Sequence, residues 1–87
     1  MRIHFFGPFA RLAAKEGRLK LEGPITLREL IHRLSDRFQG FEAYAGAADD
    51  TELSAYVIFI RNGRHLKLTD RVTDEDTIEV VLPATGG

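Results

Sequence analysis

Thr26-Leu27-Arg28-Glu29-Leu30-Ile31-His32-Arg33-Leu34-Ser35-Asp36-Arg37-Phe38 is the stretch that settles the class of fold. Thr26 with Glu29 three places on makes a capping box, whose hydroxyl and carboxylate satisfy backbone donors that a first helical turn leaves orphaned. Behind it Leu27, Leu30, Ile31, Leu34 and Phe38 keep one helical face, opposite Arg28, His32 and Asp36. The spacing predicts one amphipathic helix, which needs an apolar surface to lie on.

The flanking sequence supplies that surface as strands. Towards the N-terminus, Arg18 to Glu22 alternates Leu19 and Leu21 with charged neighbours until Gly23-Pro24, the pattern of a strand with one wet face. Ile3 to Phe6 is a first strand stopped by Gly7-Pro8, with Ile3 and Phe5 on one face and His4 and Phe6 on the other. Pro8 suits a helix start, and Phe9, Leu12 and Ala13 recur at helical spacing before Gly17, so a short helix is expected there.

Towards the C-terminus, Gln39 to Ser54 loses the pattern among small and acidic residues, including Asp49-Asp50-Thr51-Glu52. A turn of helix around Phe41 to Tyr44 and a mobile remainder are expected. Tyr56 to Arg61 is a strand, Asn62-Gly63 a hairpin turn needing positive φ, and Arg64 to Leu68 the antiparallel return. Asp70 to Asp76 reads as polar turn material, and Thr77 to Leu82 alternates as the last strand before Pro83. With no repeat, linker or domain boundary, residues 1–87 make a single α+β domain. Its four- to five-stranded mixed sheet packs on one main helix, with the first and last strands as neighbours.

Composition narrows the chemistry. The chain has 87 residues, 44% of them hydrophobic and 29% charged, with a net charge of -1, which gives no global attraction to nucleic acid or an anionic membrane. Cysteine is absent, which removes disulfides, thiolate metal sites and cysteine nucleophiles. No apolar run approaches the length that spans a bilayer, and the opening residues lack a signal-peptide core, so the expected location is cytoplasmic.

His4, His32 and His65 lack the close spacing of metal ligands, and no metal site or bound cofactor is expected. Asp74-Glu75-Asp76 lacks the glycine and distal glutamate of a calcium loop and reads as a turn with Asx hydrogen bonds. Gly7-Pro8 and Asn62-Gly63 are not spaced as a phosphate loop. The strand Tyr56 to Ile60 is apolar on both faces, more than a single helix can cover. If Val57 and Phe59 face the core, then Tyr56, Ile58 and Ile60 face outward, joined by Phe6 and Val81, as a patch of the kind that marks a protein interface. A one-residue change of register would invert that assignment. Arg61 and Arg64, with His65 and Lys67, add a basic stretch that suits an acidic partner or, equally, a solvated edge.

The sequence closes on Leu82-Pro83-Ala84-Thr85-Gly86-Gly87, read as a flexible tail over about 83–87. Two glycines allow the backbone into a slot where any Cβ would collide. A free α-carboxylate on Gly87 would be the one reactive handle.

The order of elements, the Arg61-Asn62-Gly63 hairpin and this ending resemble the MoaD/ThiS family of ubiquitin-like sulfur carriers, over the span from the first strand to Gly87. The short first helix with Arg11 and the chain length are more similar to the MoaD branch, the small subunit of molybdopterin synthase. Two departures stand against that branch: Leu82, not a second proline, precedes Pro83, and Glu75 occupies a position where many members carry glycine.

The resemblance implies a β-grasp fold. It also implies that a ubiquitin-activating-type adenylyltransferase, using ATP and magnesium, charges Gly87, and that sulfur then replaces the adenylate as a thiocarboxylate. Pro83, Ala84, Thr85 and Gly86 would thread the acyl end into the partner, the molybdopterin synthase large subunit or an equivalent sulfur acceptor enzyme. The carrier would hold no catalytic residue of its own beyond Gly87. Other acceptors within the same chemistry serve tRNA thiolation, thiamin or cysteine synthesis; a different class of function is a modifier joined to lysines, or a binding module with no covalent role.

Overall fold

The computed structural model describes residues 1–7, 16–38 and 40–83. In chain order the elements are β1 (Arg2–Phe5), β2 (Glu16–Arg18), β3 (Ile25–Thr26), α1 (Leu27–Arg37), α2 (Glu42–Ala45), α3 (Asp50–Tyr56), β4 (Ile58–Arg61), β5 (Arg64–His65), β6 (Arg71–Val72) and β7 (Thr77–Val81). A five-stranded mixed sheet has the order β2-β1-β7-β4-β5, and β3 and β6 form a separate two-stranded sheet. The short helix expected after Pro8 lies outside the described residues.

Helix α1 is the expected one. Leu27, Leu30, Ile31 and Leu34 are fully buried, and the Thr26 hydroxyl accepts from the Glu29 N–H at 3.2 Å. The other half of the capping box differs: the Glu29 carboxylate takes the Thr26 hydroxyl proton at 3.3 Å instead of a backbone donor. Against α1 the sheet offers Ile3 and Phe5 from β1, Phe59 from β4, and Ile78 and Val80 from β7, all at most 3% exposed. The alternation that faces these inward leaves His4, Ile58, Ile60, Glu79 and Val81 on the other face.

The centre of the sheet joins the two ends of the sequence. Strands β1 and β7 run parallel with Ile3 level with Ile78 and Phe5 level with Val80, and β4 lies antiparallel on the other side of β7 with Ile58 level with Val81. The β4–β5 turn has Asn62 at φ 53 and Gly63 at φ 77, the double positive φ that matches the twist of a two-residue hairpin.

Three expectations need correction. The second strand is Glu16–Arg18, not Arg18 to Glu22. Leu19 and Leu21 do turn towards the core, but the Leu21 N–H is taken by the Asp74 carboxylate at 2.8 Å, so a side chain replaces a strand partner and the ladder stops. Gly17 belongs in this strand because a Cβ there would meet Phe5 at 3.1 Å and Phe38 at 3.6 Å.

In the segment after α1 the expected turn of helix is present as α2, and the correction falls on the remainder, expected to be mobile, which holds α3. Phe41 is fully buried in an aromatic cluster, with ring centroids 5.9 Å from Phe5 and 5.5 Å from Tyr44, and α2 follows it. The acidic cluster starts α3: Asp49 accepts from the Glu52 N–H at 2.8 Å as its N-cap, and Asp50 accepts from the Leu68 N–H at 2.6 Å. Tyr56 therefore ends a helix and is not the first residue of a strand. Third, the hairpin return is short, with ladder pairing confined to Arg64 and His65 before a further bond from the Leu66 N–H to the Phe59 carbonyl.

Asp74 is a tie between distant parts of the chain, accepting from the N-terminal ammonium at 2.9 Å as well as from Leu21. These bonds, that of Leu21 first, hold its carboxyl below the usual carboxylate range. A depressed folded-state pKa gives stability that is present above the unfolded value, near 4, and is lost as pH falls through the folded one. Asp74→Asn is expected to melt below the parent at pH 7, with the gap closing under about pH 4; melting curves across pH check it. Phe59→Ala, opening a cavity under α1, is expected to cost about 3–5 kcal/mol in urea denaturation.

Candidate functional site

The sheet face turned away from α1 is built in rows, because neighbouring strands lie about 4.8 Å apart and alternate side chains share a face. One row runs Val81, Ile58, with Phe6 beside Val81 just past the end of β1, where its N–H donates to the Val80 carbonyl at 3.0 Å. The next row is His4, Glu79, Ile60, His65. Beyond it lies Arg2 level with Thr77 and Arg18. The face thus grades from apolar at one end to charged at the other.

The apolar end is where the C-terminal segment leaves. Among the described residues the large apolar side chains that stay exposed are Phe6 at 45%, Tyr56 at 55% and Leu82 at 47%. Phe6 follows β1, Leu82 follows β7, and Tyr56 stands two residues before the β4 position that pairs with Val81. Phe6 and Leu82 follow neighbouring strands at the same end of the sheet, and the chain from Tyr56 enters β4 at that end. Phe6 and Leu82, with the half-buried Val81 and Ile58, form an exposed apolar area of the kind that marks interaction surfaces.

Of the residues proposed from sequence for this patch, Phe6, Ile58, Ile60 and Val81 share the outer face, with Ile58, Ile60 and Val81 half-buried. Tyr56 is exposed at the end of α3, two residues before Ile58, and is not on a strand. Arg61 is placed differently: its guanidinium donates to the Arg71 carbonyl at 2.6 Å and to the Asp76 carboxylate at 3.0 Å, which also accepts from the Thr73 N–H at 2.8 Å. Arg61 braces the hairpin against the turn before β7, while Arg64 is exposed. Leu82, which the alternation places in the last strand, lies just past its end and is exposed. Its signal was the following Pro83, which ends the ladder and leaves the last apolar residue without a neighbour. Pro83 is half-buried; Ala84, Thr85, Gly86 and Gly87 lie outside the described residues.

The perturbed titrations lie elsewhere. Asp74 is at the charged end, and burial pushes the Tyr44 hydroxyl up in the aromatic cluster. Among the described residues no group of three histidines and carboxylates gathers that would hold a metal ion. Two shallow depressions, of about 270 and 300 Å³, are lined by Asp74 and Glu75 with their neighbours, away from the apolar end. No helix among the described residues is long and apolar enough to cross a membrane.

With this geometry in hand, comparison decides the family. The model of the ThiS family matches residues 3–87. The chain belongs to the ThiS family. Its fold is accordingly of the ubiquitin-like kind. Its fold is that of SAMP1 from Haloferax volcanii, with a TM-score of 0.73 at 23% identity over 99% of this chain and 97% of that one. It is similar as well to a protein assigned as molybdopterin converting factor, subunit 1, from Pyrococcus furiosus, with a TM-score of 0.71 at 25% identity over 95% of each chain. No curated protein matches its sequence.

The face assignment has a direct check. Ile58→Thr, on the outer face, is expected to cost no more than about 1 kcal/mol because it keeps a β-branched side chain and opens no core cavity. A loss comparable with that of Phe59→Ala in the same denaturant series would place Ile58 in the core instead.

Proposed function

We propose that this chain carries sulfur on Gly87 and delivers it as the small subunit of a molybdopterin-synthase-type complex. The observation that supports this reading most is that the ThiS-family match runs through the Gly86-Gly87 ending, directly after a strand whose end is ringed by exposed apolar side chains. The likeness to molybdopterin converting factor, subunit 1, favours the molybdopterin pathway over other sulfur acceptors.

A terminal carboxylate has a pKa of about 3.5, so at neutral pH it is ionised and resists attack. Its oxygen attacks the α-phosphorus of ATP on a ubiquitin-activating-type adenylyltransferase, pyrophosphate leaves, and a mixed anhydride with AMP forms at Gly87. The enzyme's magnesium offsets phosphate charge in that step. A persulfide sulfur then displaces AMP to give an acyl disulfide. A thiol, acting as the reductant, attacks the donor's sulfur so that the S–S bond breaks, leaving a disulfide on the donor and on Gly87 a thiocarboxylate, a better nucleophile than the carboxylate it replaces. Transfer of two sulfurs to the precursor takes two charged carriers in succession.

The chain's own contribution is docking and reach. Five extended residues, Pro83 to Gly87, span at most about 17 Å, enough to enter a buried site while the sheet stays outside. Pro83 has φ already fixed, so less freedom is lost on threading, and Gly86 and Gly87 present no Cβ to a narrow channel. The apolar row Phe6, Val81, Ile58, with Ile60 and Leu82 around it, would seat first the adenylyltransferase and then the acceptor enzyme, whereas Arg64, paired with Arg61 at the far end of β4, lies away from it.

ATP–pyrophosphate exchange by the host's activating enzyme tests the reading. Exchange is expected with the parent chain and is expected to vanish when Gly86 and Gly87 are deleted. Val81→Asp is expected to raise the carrier concentration needed for half-maximal exchange at least tenfold, because a buried interface charge without a partner is costly. Exchange unaffected by the deletion would overturn the proposal. Gly-Gly remnants on lysines of other proteins, without sulfur transfer to a molybdopterin precursor, would assign the same charged end to protein modification.

A further inference from the structure

Three carboxylates among the described residues are half-buried: those of Asp70, Asp76 and Glu79. Two of them are bonded within the chain. Asp70 accepts from the Lys67 N–H at 2.7 Å, and Asp76 accepts from the Arg61 guanidinium at 3.0 Å and from the Thr73 N–H at 2.8 Å. Among the described residues, none forms a hydrogen bond or an ion pair with the Glu79 carboxylate.

Glu79 also stands where a docked enzyme must cover it. It lies on the outer face of β7, the middle strand of the five. It is level with His4 on one side and with Ile60 on the other, and Val81, level with Ile58, is two residues further along the same face. An enzyme seated on Val81, Ile58 and Ile60 therefore takes Glu79 out of water with them. Burying a carboxylate without a counter-charge is costly, whereas a cation supplied across the interface makes the same burial a charge-assisted pair.

We infer that Glu79 is the specificity-determining residue of this face, and that the adenylyltransferase presents a cationic side chain to it from an otherwise apolar docking surface. This rests on the reading of the chain as a carrier charged by such an enzyme. Arginine suits the position best: its planar fork takes both carboxylate oxygens, and its stem can lie against Ile60 and Val81. The apolar row attracts any apolar surface of fitting shape, so by itself it selects weakly. Glu79 adds the selection, because an enzyme without the cation buries an unpaired charge. Charging precedes every delivery of sulfur, which makes the activating enzyme the step at which selection acts on each carrier.

Titration calorimetry of the full chain with the host's adenylyltransferase, in the absence of ATP, measures docking free of acyl chemistry. Glu79→Gln, which keeps the shape and removes the charge, is expected to weaken binding at least about thirtyfold, because the enzyme's cation is left buried and unpaired. Glu79→Leu is expected to weaken it as well, although it extends the apolar row. Both variants are expected to melt with the parent, since the free chain has no bond to Glu79 to lose. Equal or tighter binding by either variant would overturn the inference. So would a lowered melting temperature in both, which would place the loss in the fold, or a parent chain that does not bind. The carrier reading stands or falls on a different result, the dependence of pyrophosphate exchange on Gly86 and Gly87.

Discussion

The parallel pairing of β1 with β7 is the constraint on which the rest of the molecule depends. Through it the first and last strands become the middle of the sheet, held on both sides by β2 and β4. Parallel neighbours cannot be joined by a tight turn, so the chain between them must cross over, and α1 uses that crossover to cover one face. On the other face, among the described residues, Phe6 is exposed and Ile58, Ile60 and Val81 are half-buried. The last strand ends at the same end of the sheet as β1, next to Phe6. The segment that leaves this central strand is anchored by two neighbours at its root.

The supporting contacts protect that arrangement from the charged end. Asp74 gathers the N-terminal ammonium and the Leu21 N–H, while Asp76 gathers Arg61 and the Thr73 N–H. Two neighbouring carboxylates in one turn thus tie the start of β1, the segment after β2 and the hairpin to the entrance of β7. Acidic residues that look like a solvated turn serve as substitutes for backbone partners where the strands are short. Asp49 and Asp50 do the same for α3 and for the segment after β5.

Those substitutions explain what could be read from sequence. Helix α1, the hairpin at Asn62-Gly63, the inward alternation of β1 and β7 and their adjacency were legible because each repeats over several residues. Helix α3 was not, since Leu53 alone among its residues is buried and a single anchor has no period. The true extent of β2 was hidden for a related reason: Gly17 is there to make room for Phe5 and Phe38, while Leu19 and Leu21 keep alternating after the ladder has ended. On the site, the outward set Phe6, Ile58, Ile60 and Val81 followed from strand alternation. The internal engagement of Arg61 depended on Asp76, fifteen residues away, a pairing that no local pattern announces.

Central to this account is a domain whose purpose lies in an acyl end chemically altered by other enzymes. Intact-mass measurement of the protein taken from its own host tests that most directly. A fraction heavier than the encoded chain by the exchange of one oxygen for sulfur, located to Gly87 by fragmentation, is the predicted result. A population that stays entirely in the carboxylate form, in cells with sulfur transfer active and molybdenum cofactor being made, would contradict it.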